Sequence, residues 1–176
     1  MTQDCIYGIN GPVITVKESH SFSMMEMVYV GREHLVGEVI GVNDHFTTIQ
    51  CYEETTGLKP GEPVEGTGAP MNVTLGPGIL DNIFDGIERP LKAIAEASGS
   101  FIARGSNVSA LNEDGVWDVT VTRKIGDELS GGDIYATCPE TQIIEHRSMV
   151  PPNLSGKVTF AAPSGPHKVN DTILEI

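Results

Sequence analysis

A chain of 176 residues with 39% apolar content has room for one ordinary domain or two small ones. Its few aromatics and short apolar runs favour several thin β-rich cores over one large core. A formal net charge of −13 and a pI near 4.6 argue against nucleic acid and anionic lipid as partners, since both recruit clustered Lys and Arg.

The acidic balance suits a solvated surface that aids solubility. Cys5, Cys51 and Cys138 are odd in number and far apart, so they are expected to be buried or free thiols in a reducing cytosol. The five histidines (His20, His34, His45, His146, His167) lack HxxxH or HExxH spacing, and no metal site is expected. Met1 to Gly8 has neither a basic n-region nor an apolar h-region and does not read as a secretory signal. The apolar runs are far short of a bilayer span, so the chain is expected to be soluble.

The first segment, residues 1–69, reads as short strands. Cys5 onward begins one, Asn10-Gly11-Pro12 breaks it, and Val13 to Val16 resumes it. Further runs are Met27–Val30, Leu35–Val42 and Phe46–Tyr52, separated by Gly31, by Asn43-Asp44, and by Gly57 with Lys59-Pro60-Gly61. This spacing predicts a small closed barrel, because closure removes edges that a free sheet would expose. A domain of roughly 65 residues buries only about 60% of its unfolded surface, so docking against neighbours would help it.

The second segment, residues 70–108, is expected to be a connector with short helices. Ile79, Leu80, Ile83 and Phe84 fall on one helical face, ended by Gly86. Pro90 to Ala97 has proline near the first helical position and Gly99 just past the end. The third segment, residues 109–176, returns to strands at Val116–Thr122, Ile134–Ala136, Ile143-Ile144, Ser148–Val150, Gly156–Phe160 and Thr172–Ile176. Gly126-Asp127 and Gly131-Gly132-Asp133 supply tight turns. The pattern from Val121 through Gly131-Gly-Asp-Ile134, with Gly156-x-Val158 later, resembles the barrel-sandwich hybrid fold of lipoyl and biotinyl domains.

Motifs that would carry chemistry fail on their own terms. A phosphate loop GxxxxGK[ST] needs glycine for backbone approach and a hydroxyl on magnesium. Around Gly156-Lys157 those two positions hold Pro151 and Val158. Gly66-x-Gly68 and Gly76-x-Gly78 do not complete GxGxxG, having Met71 and Asp81 at the third glycine position, and read as connector glycines. A carrier domain needs a lysine to acylate, and none occurs from Ile125 through Gly156, where Arg147 cannot serve. The carboxylate pairs Glu53-Glu54 and Asp127-Glu128 read as solvated turns. No catalytic, cofactor-binding or metal-binding residue is assigned.

Tyr52-Glu-Glu-Thr-Thr-Gly-Leu-Lys-Pro-Gly-Glu-Pro-Val64, Leu75-Gly-Pro-Gly-Ile-Leu80 and Phe84-Asp-Gly-Ile-Glu-Arg-Pro-Leu91 are highly specific runs. With Asn10-Gly-Pro-Val13, Val36-Gly-Glu-Val-Ile40 and Phe101-Ile-Ala-Arg-Gly105, the chain resembles the N-terminal region of the catalytic A (alpha) chain of V-type and archaeal-type rotary ATPases. Gly131-Gly-Asp-Ile134, Pro139-Glu-Thr141, Ile144-Glu-His146 and Met149-Val-Pro-Pro152 resemble the insertion peculiar to that chain, called the non-homologous or bulge region. The Ser19-His20 loop and Ser106-Asn-Val-Ser109 depart from the pattern.

The resemblance implies a mainly β fold: an N-terminal barrel over 1–69, a connector over 70–108 and a barrel-sandwich-hybrid-like bulge over 109–176. It implies a non-catalytic scaffold fragment without the phosphate loop, from a parent that couples ATP hydrolysis or synthesis to proton or sodium transport. The barrel would join an alternating ring with B subunits and other A subunits of the V/A-type ATPase, and the bulge would meet the peripheral-stalk subunits. The expected location is the cytoplasmic head of a membrane-attached complex, without direct membrane contact. No cofactor is expected in this chain; Mg-ATP would belong to the parent. Two alternatives stand beside this reading: a nucleotide-binding fragment, and a lipoyl- or biotinyl-like carrier lacking its lysine. The segment 70–108 is further expected to be mobile or self-associating, with Ile79, Ile83 and Phe84 less buried than their pattern demands.

Overall fold

The computed structural model describes residues 4–17, 21–80, 82–99, 102–106 and 108–176. Met1 to Gln3, Ser19, His20, Asp81, Phe101 and Asn107, named above, lie outside the described residues. The chain forms two compact units, Met1–Val73 with Ile94–Asn107, and Thr74–Ala93 with Val108–Ile176. The stretch 70–108 is therefore shared between them.

In the first unit, short apolar runs between turn residues form β1 (Ile6–Asn10), β2 (Val13–Lys17), β3 (Glu26–Val30), β4 (Leu35–Val42) and β5 (Phe46–Cys51), and in β2 to β5 burial alternates along the strand. A further strand, β6 (Val64–Pro70), completes an antiparallel sheet ordered β1-β2-β5-β4-β3-β6. The two ends of that order meet: Cys5 bridges Pro63, Ile6 N–H donates to Glu62 O at 2.8 Å, and Val64 N–H to Asp4 O at 2.8 Å. The sheet thus closes into a barrel and leaves few edge groups unpaired. Ile14, Val28, Val30, Leu35, Val39 and Ile49 fill its interior with no exposed surface. Ile40 and Val42 fall on the outward positions of β4 and face solvent, and a register shift lies between Val39 and Gly41.

The strand β6 carries no alternating apolar pattern and is set by its partner β3. Its Gly66 passes so close to the Phe22 ring and the Glu26 carboxylate that an added Cβ would stand 2.3 Å from Glu26 Oε1. Gly66 and Gly68 are therefore strand residues, not connector glycines.

In the second unit the strands are β7 (Val116–Val121), β8 (Glu128–Leu129), β9 (Ile134–Pro139), β10 (Glu145–Met149), β11 (Gly156–Lys157), β12 (Phe160–Ala161), β13 (Gly165–Lys168) and β14 (Leu174–Glu175). Four of them form an antiparallel sheet ordered β10-β9-β7-β13. Two short pairs complete the unit, β8 with β11 and β12 with β14. Leu129, Val150 and Val158 form a small core, packed by Tyr135, Ala161 and Leu174. Mainly β architecture is thus the outcome in both units.

One helix occurs among the described residues, α1 (Leu91–Ser98). It begins directly after Pro90, and Gly99 follows it with φ +79° while its N–H donates to Ala95 O at 2.9 Å. The expected helix around Ile79 to Phe84 does not form. Gly78 sits at φ +96° and Phe84 bridges Pro90, so turns replace helical backbone. Leu80 and Ile83 are exposed there and Phe84 half-buried. The expected strand at Ile143-Ile144 is likewise a turn. Thr141 Oγ1 accepts their N–H groups at 3.3 and 3.0 Å, the geometry by which a hydroxyl competes with a strand ladder.

Candidate interaction surfaces and carboxylate clamps

Several acidic side chains hold backbone, Glu53 and Asp127 of the expected solvated pairs among them, both still partly exposed. Glu26 is buried in the barrel, and its carboxylate accepts the N–H groups of Ser23 at 2.8 Å and Gly68 at 2.9 Å. Glu53 accepts Gly105 N–H at 3.0 Å and Val36 N–H at 3.4 Å. Beside it, Arg104 pairs with Glu33 at 2.9 Å and donates to the Thr56 carbonyl. Residues 103–106 are thereby fastened to the barrel's 53–57 turn. Asp127 accepts Lys124 N–H at 2.9 Å and closes the turn before β8.

The irregular segment 74–90 is held the same way. Glu88 accepts Thr74 N–H at 2.8 Å. Asp85 is half-buried, which alone would raise its pKa. Hydrogen bonds from Arg89 N–H, Arg89 Nε and Ile87 N–H outweigh that burial and hold its carboxyl below the ordinary value. Glu140, with only 4% of its side chain exposed, accepts Gly78 N–H at 2.9 Å and Leu80 N–H at 3.1 Å through one oxygen. Its other oxygen lies 3.4 Å from His146 Nδ1. The glycine-rich 76–80 loop, superficially like a nucleotide loop, is already occupied by a carboxylate of its own chain.

A cleft of about 630 Å³ opens on one face of the four-stranded sheet, with Trp117 of β7, Cys138 of β9, His146 of β10 and His167 of β13 contributing to its lining. Thr74, Leu75, Gly76 and Pro77 form a wall. The Trp117 Nε1 is buried and has no hydrogen-bond partner among the described residues. His167 is engaged at both ring nitrogens, by Pro163 O at 2.8 Å and Asp171 at 3.6 Å.

Outer surfaces offer apolar contact. On the barrel, Tyr7 is 57% exposed, its ring 5.6 Å from that of Phe46, with Lys17 Nζ 5.8 Å above it. On the second unit, Ile143 is 92% exposed at the β9–β10 turn, beyond Ile144 and Met149. Arg147, which stands in the stretch where a carrier would need its lysine, is mid-strand in β10 opposite Thr137. No disulfide links the three cysteines, all of which are among the described residues, and Cys51 and Cys138 are buried. Burial, helped by the charge of Glu53, pushes the Cys51 thiol up to about 11. No group of three or more metal-ligating side chains occurs among the described residues. Nor is any helix among them long and apolar enough to cross a membrane.

A closed antiparallel barrel followed by a unit of short antiparallel strand pairs defines the class of fold. The family model described as the ATP synthase alpha/beta family, beta-barrel domain, matches residues 6–68. That described as the ATPsynthase alpha/beta subunit barrel-sandwich domain matches residues 108–176. The chain belongs to the ATP synthase alpha/beta family, and its likeness within that family is to the A (alpha) chains of the V-type and A-type enzymes.

It is 51% identical over 168 residues to the V-type ATP synthase alpha chain of Halothermothrix orenii, covering 96% of this chain and 28% of that protein. It is 49% identical over 179 residues to the catalytic A chain of the V-type proton ATPase of Cyanidium caldarium, covering 100% and 30%. It is 48% identical over 171 residues to the A chain of the A-type ATP synthase of Methanopyrus kandleri, covering 97% and 29%. The chain spans less than a third of the length of these curated relatives. Among solved structures, the assembled ATPase EscN from the enteropathogenic E. coli type III secretion system aligns with a TM-score of 0.45 at 20% identity, over 50% of this chain and 21% of that one. That likeness is too loose to bear on function.

Proposed function

We propose that these residues are the non-catalytic scaffold portion of the A chain of a rotary ATPase, with the barrel seating neighbouring subunits and the barrel-sandwich unit meeting the peripheral stalk. The parent would couple ATP hydrolysis or synthesis to transport of protons or sodium ions, with Mg-ATP bound outside these residues. Its place would be the cytoplasmic head of the complex. The observation that carries the reading is the likeness to the A chains along nearly the whole length, through barrel and extension alike. Rigid β units with exposed apolar points at Tyr7 and Ile143 are suited to holding subunits and need no reactive side chain.

Native mass spectrometry with intact B and stalk subunits tests the proposal. Association of this chain with them is the expected result, and none under any condition counts against it. The alternative of nucleotide binding by these residues themselves has its own measurement, isothermal titration with Mg-ATP. Micromolar affinity would displace the scaffold reading. The occupied state of the Gly76–Leu80 loop disfavours that outcome, because its converging N–H groups already have a carboxylate acceptor.

A further inference from the structure

The Gly76–Leu80 loop has the properties of an anion site turned inward. Backbone N–H groups that converge on one point favour negative charge, and two of them here meet a single oxygen of Glu140. A buried carboxylate is costly unless such partners satisfy it. The contact is therefore mutual: the loop needs an acceptor and Glu140 needs donors. Gly78 makes it possible. Its φ of +96° suits glycine, and an added Cβ would stand 2.9 Å from Trp117 Cζ2. The same loop walls the cleft on the four-stranded sheet, and His146, beside the second Glu140 oxygen, lines that cleft too.

We propose that residues 74–80 are a strap across this sheet face, latched shut by the Glu140 carboxylate on the Gly78 and Leu80 amides. Release of the latch uncovers Trp117 and the cleft together. Because His146 touches both latch and cleft, a group entering the cleft acts on the strap through that side chain. Glu140 is a positioning residue, and no bond is made or broken.

The chain holds a single tryptophan, so its emission reports the strap directly. In the full chain, Glu140→Ala is expected to speed hydrogen exchange at the Gly78 and Leu80 amides by about 10- to 100-fold, the worth of hydrogen bonds to a charged acceptor. Trp117 emission shifts to the red and its quenching by acrylamide rises, while amides of β2, β5, β7 and β9 keep their protection. Added formate or acetate, filling the vacated acceptor position, slows both amides again. Glu140→Gln, which retains one acceptor oxygen, falls between wild type and Glu140→Ala. Unchanged exchange at Gly78 and Leu80 overturns the latch. So does acceleration spread equally over β7 and β9, or failure of the small carboxylates to restore protection. Should Glu140→Ala not fold, Glu140→Gln decides alone: selective acceleration at the two amides supports the latch, and its absence overturns it.

Discussion

The barrel and the second unit are both antiparallel β, yet they are held by different means. Among the described residues, eleven buried side chains form one apolar cluster inside the barrel, whereas three do so in the second unit. The second unit compensates with tight turns and with carboxylates that accept backbone N–H groups over 74–90 and 124–133. The contrast teaches that a closed barrel draws more of its stability from non-directional burial, while a unit of short strand pairs leans further on directional contacts at named atoms. Substitutions should therefore divide the two units by type as well as by size.

The largest expected effect is in the barrel interior. Ile49→Ala removes a side chain with no exposed surface and should cost about 2–5 kcal/mol in urea denaturation. Val158→Ala, in the smaller core, should cost about 1–2.5 kcal/mol. Exchange at β5 and β11 amides distinguishes the units. Equal losses at the two sites would remove the contrast.

Next in size is the buried carboxylate of the barrel. Glu26→Ala strands the Ser23 and Gly68 amides and should cost about 1–3 kcal/mol. Gly66→Ala forces a Cβ against Glu26 and Phe22 and should cost about 1–3 kcal/mol by overpacking. The two should not add, because Glu26→Ala empties the space the new methyl needs. Strict additivity would mean that the close approach is not what makes residue 66 a glycine.

The same residues show how far the sequence can be read. Short apolar runs bounded by turn residues reveal β1 to β5, alternation reveals β7, and the first half of β9 is read at Ile134–Ala136. Proline and glycine bracket α1. The strand β6 escapes such a reading because Glu65-Gly-Thr-Gly has no apolar period, and only its neighbours Phe22 and β3 make it a strand. The strands β8 and β13 escape it for their brevity and for their Gly, Pro and His content. The apolar spacing of Ile79 to Phe84 misleads in the opposite sense, since it carries no sign of the positive φ at Gly78 and Glu88. The clamps of Glu26, Glu53 and Glu140 are not legible. A carboxylate looks the same in a sequence whether water or a distant amide faces it. The glycine pairs at 66–68 and 76–78 are the available signal, because backbone that admits no Cβ has something pressed against it.

A smaller effect follows pH. The Cys51 thiol is raised to about 11, so between its ordinary value and 11 the folded state holds a proton that the unfolded state has lost. Stability is then fully present below the ordinary thiol range and falls as pH rises toward 11. The Asp85 carboxyl is shifted the opposite way, so its contribution is present above the ordinary carboxyl value and fades as pH falls through its lowered one. Denaturation midpoints of Cys51→Ser and Asp85→Asn against wild type should converge with it at alkaline and acid extremes respectively. A constant difference across pH would show that neither titration is linked to folding. At neutral pH, a thiol reagent should label Cys5 well before buried Cys51 and Cys138.

The smallest effects on stability belong to the outer faces, and there the comparison of units becomes one of partners. Tyr7→Ser forfeits an exposed ring and its Lys17 contact, about 0.5–1 kcal/mol. Ile143→Ser removes a side chain that touches little of its own chain, so the cost should stay within about 0.5 kcal/mol. If the barrel seats neighbouring subunits and the second unit meets the stalk, each change weakens one association by about tenfold or more and spares the other. Native mass spectrometry against B and stalk subunits reads the two losses separately. Crossed results, with Tyr7 weakening stalk binding or Ile143 weakening the ring, would reverse the assignment of surfaces. Loss of neither would mean that these exposed apolar residues are ordinary surface, since isolated apolar side chains are common on the surfaces of folded domains.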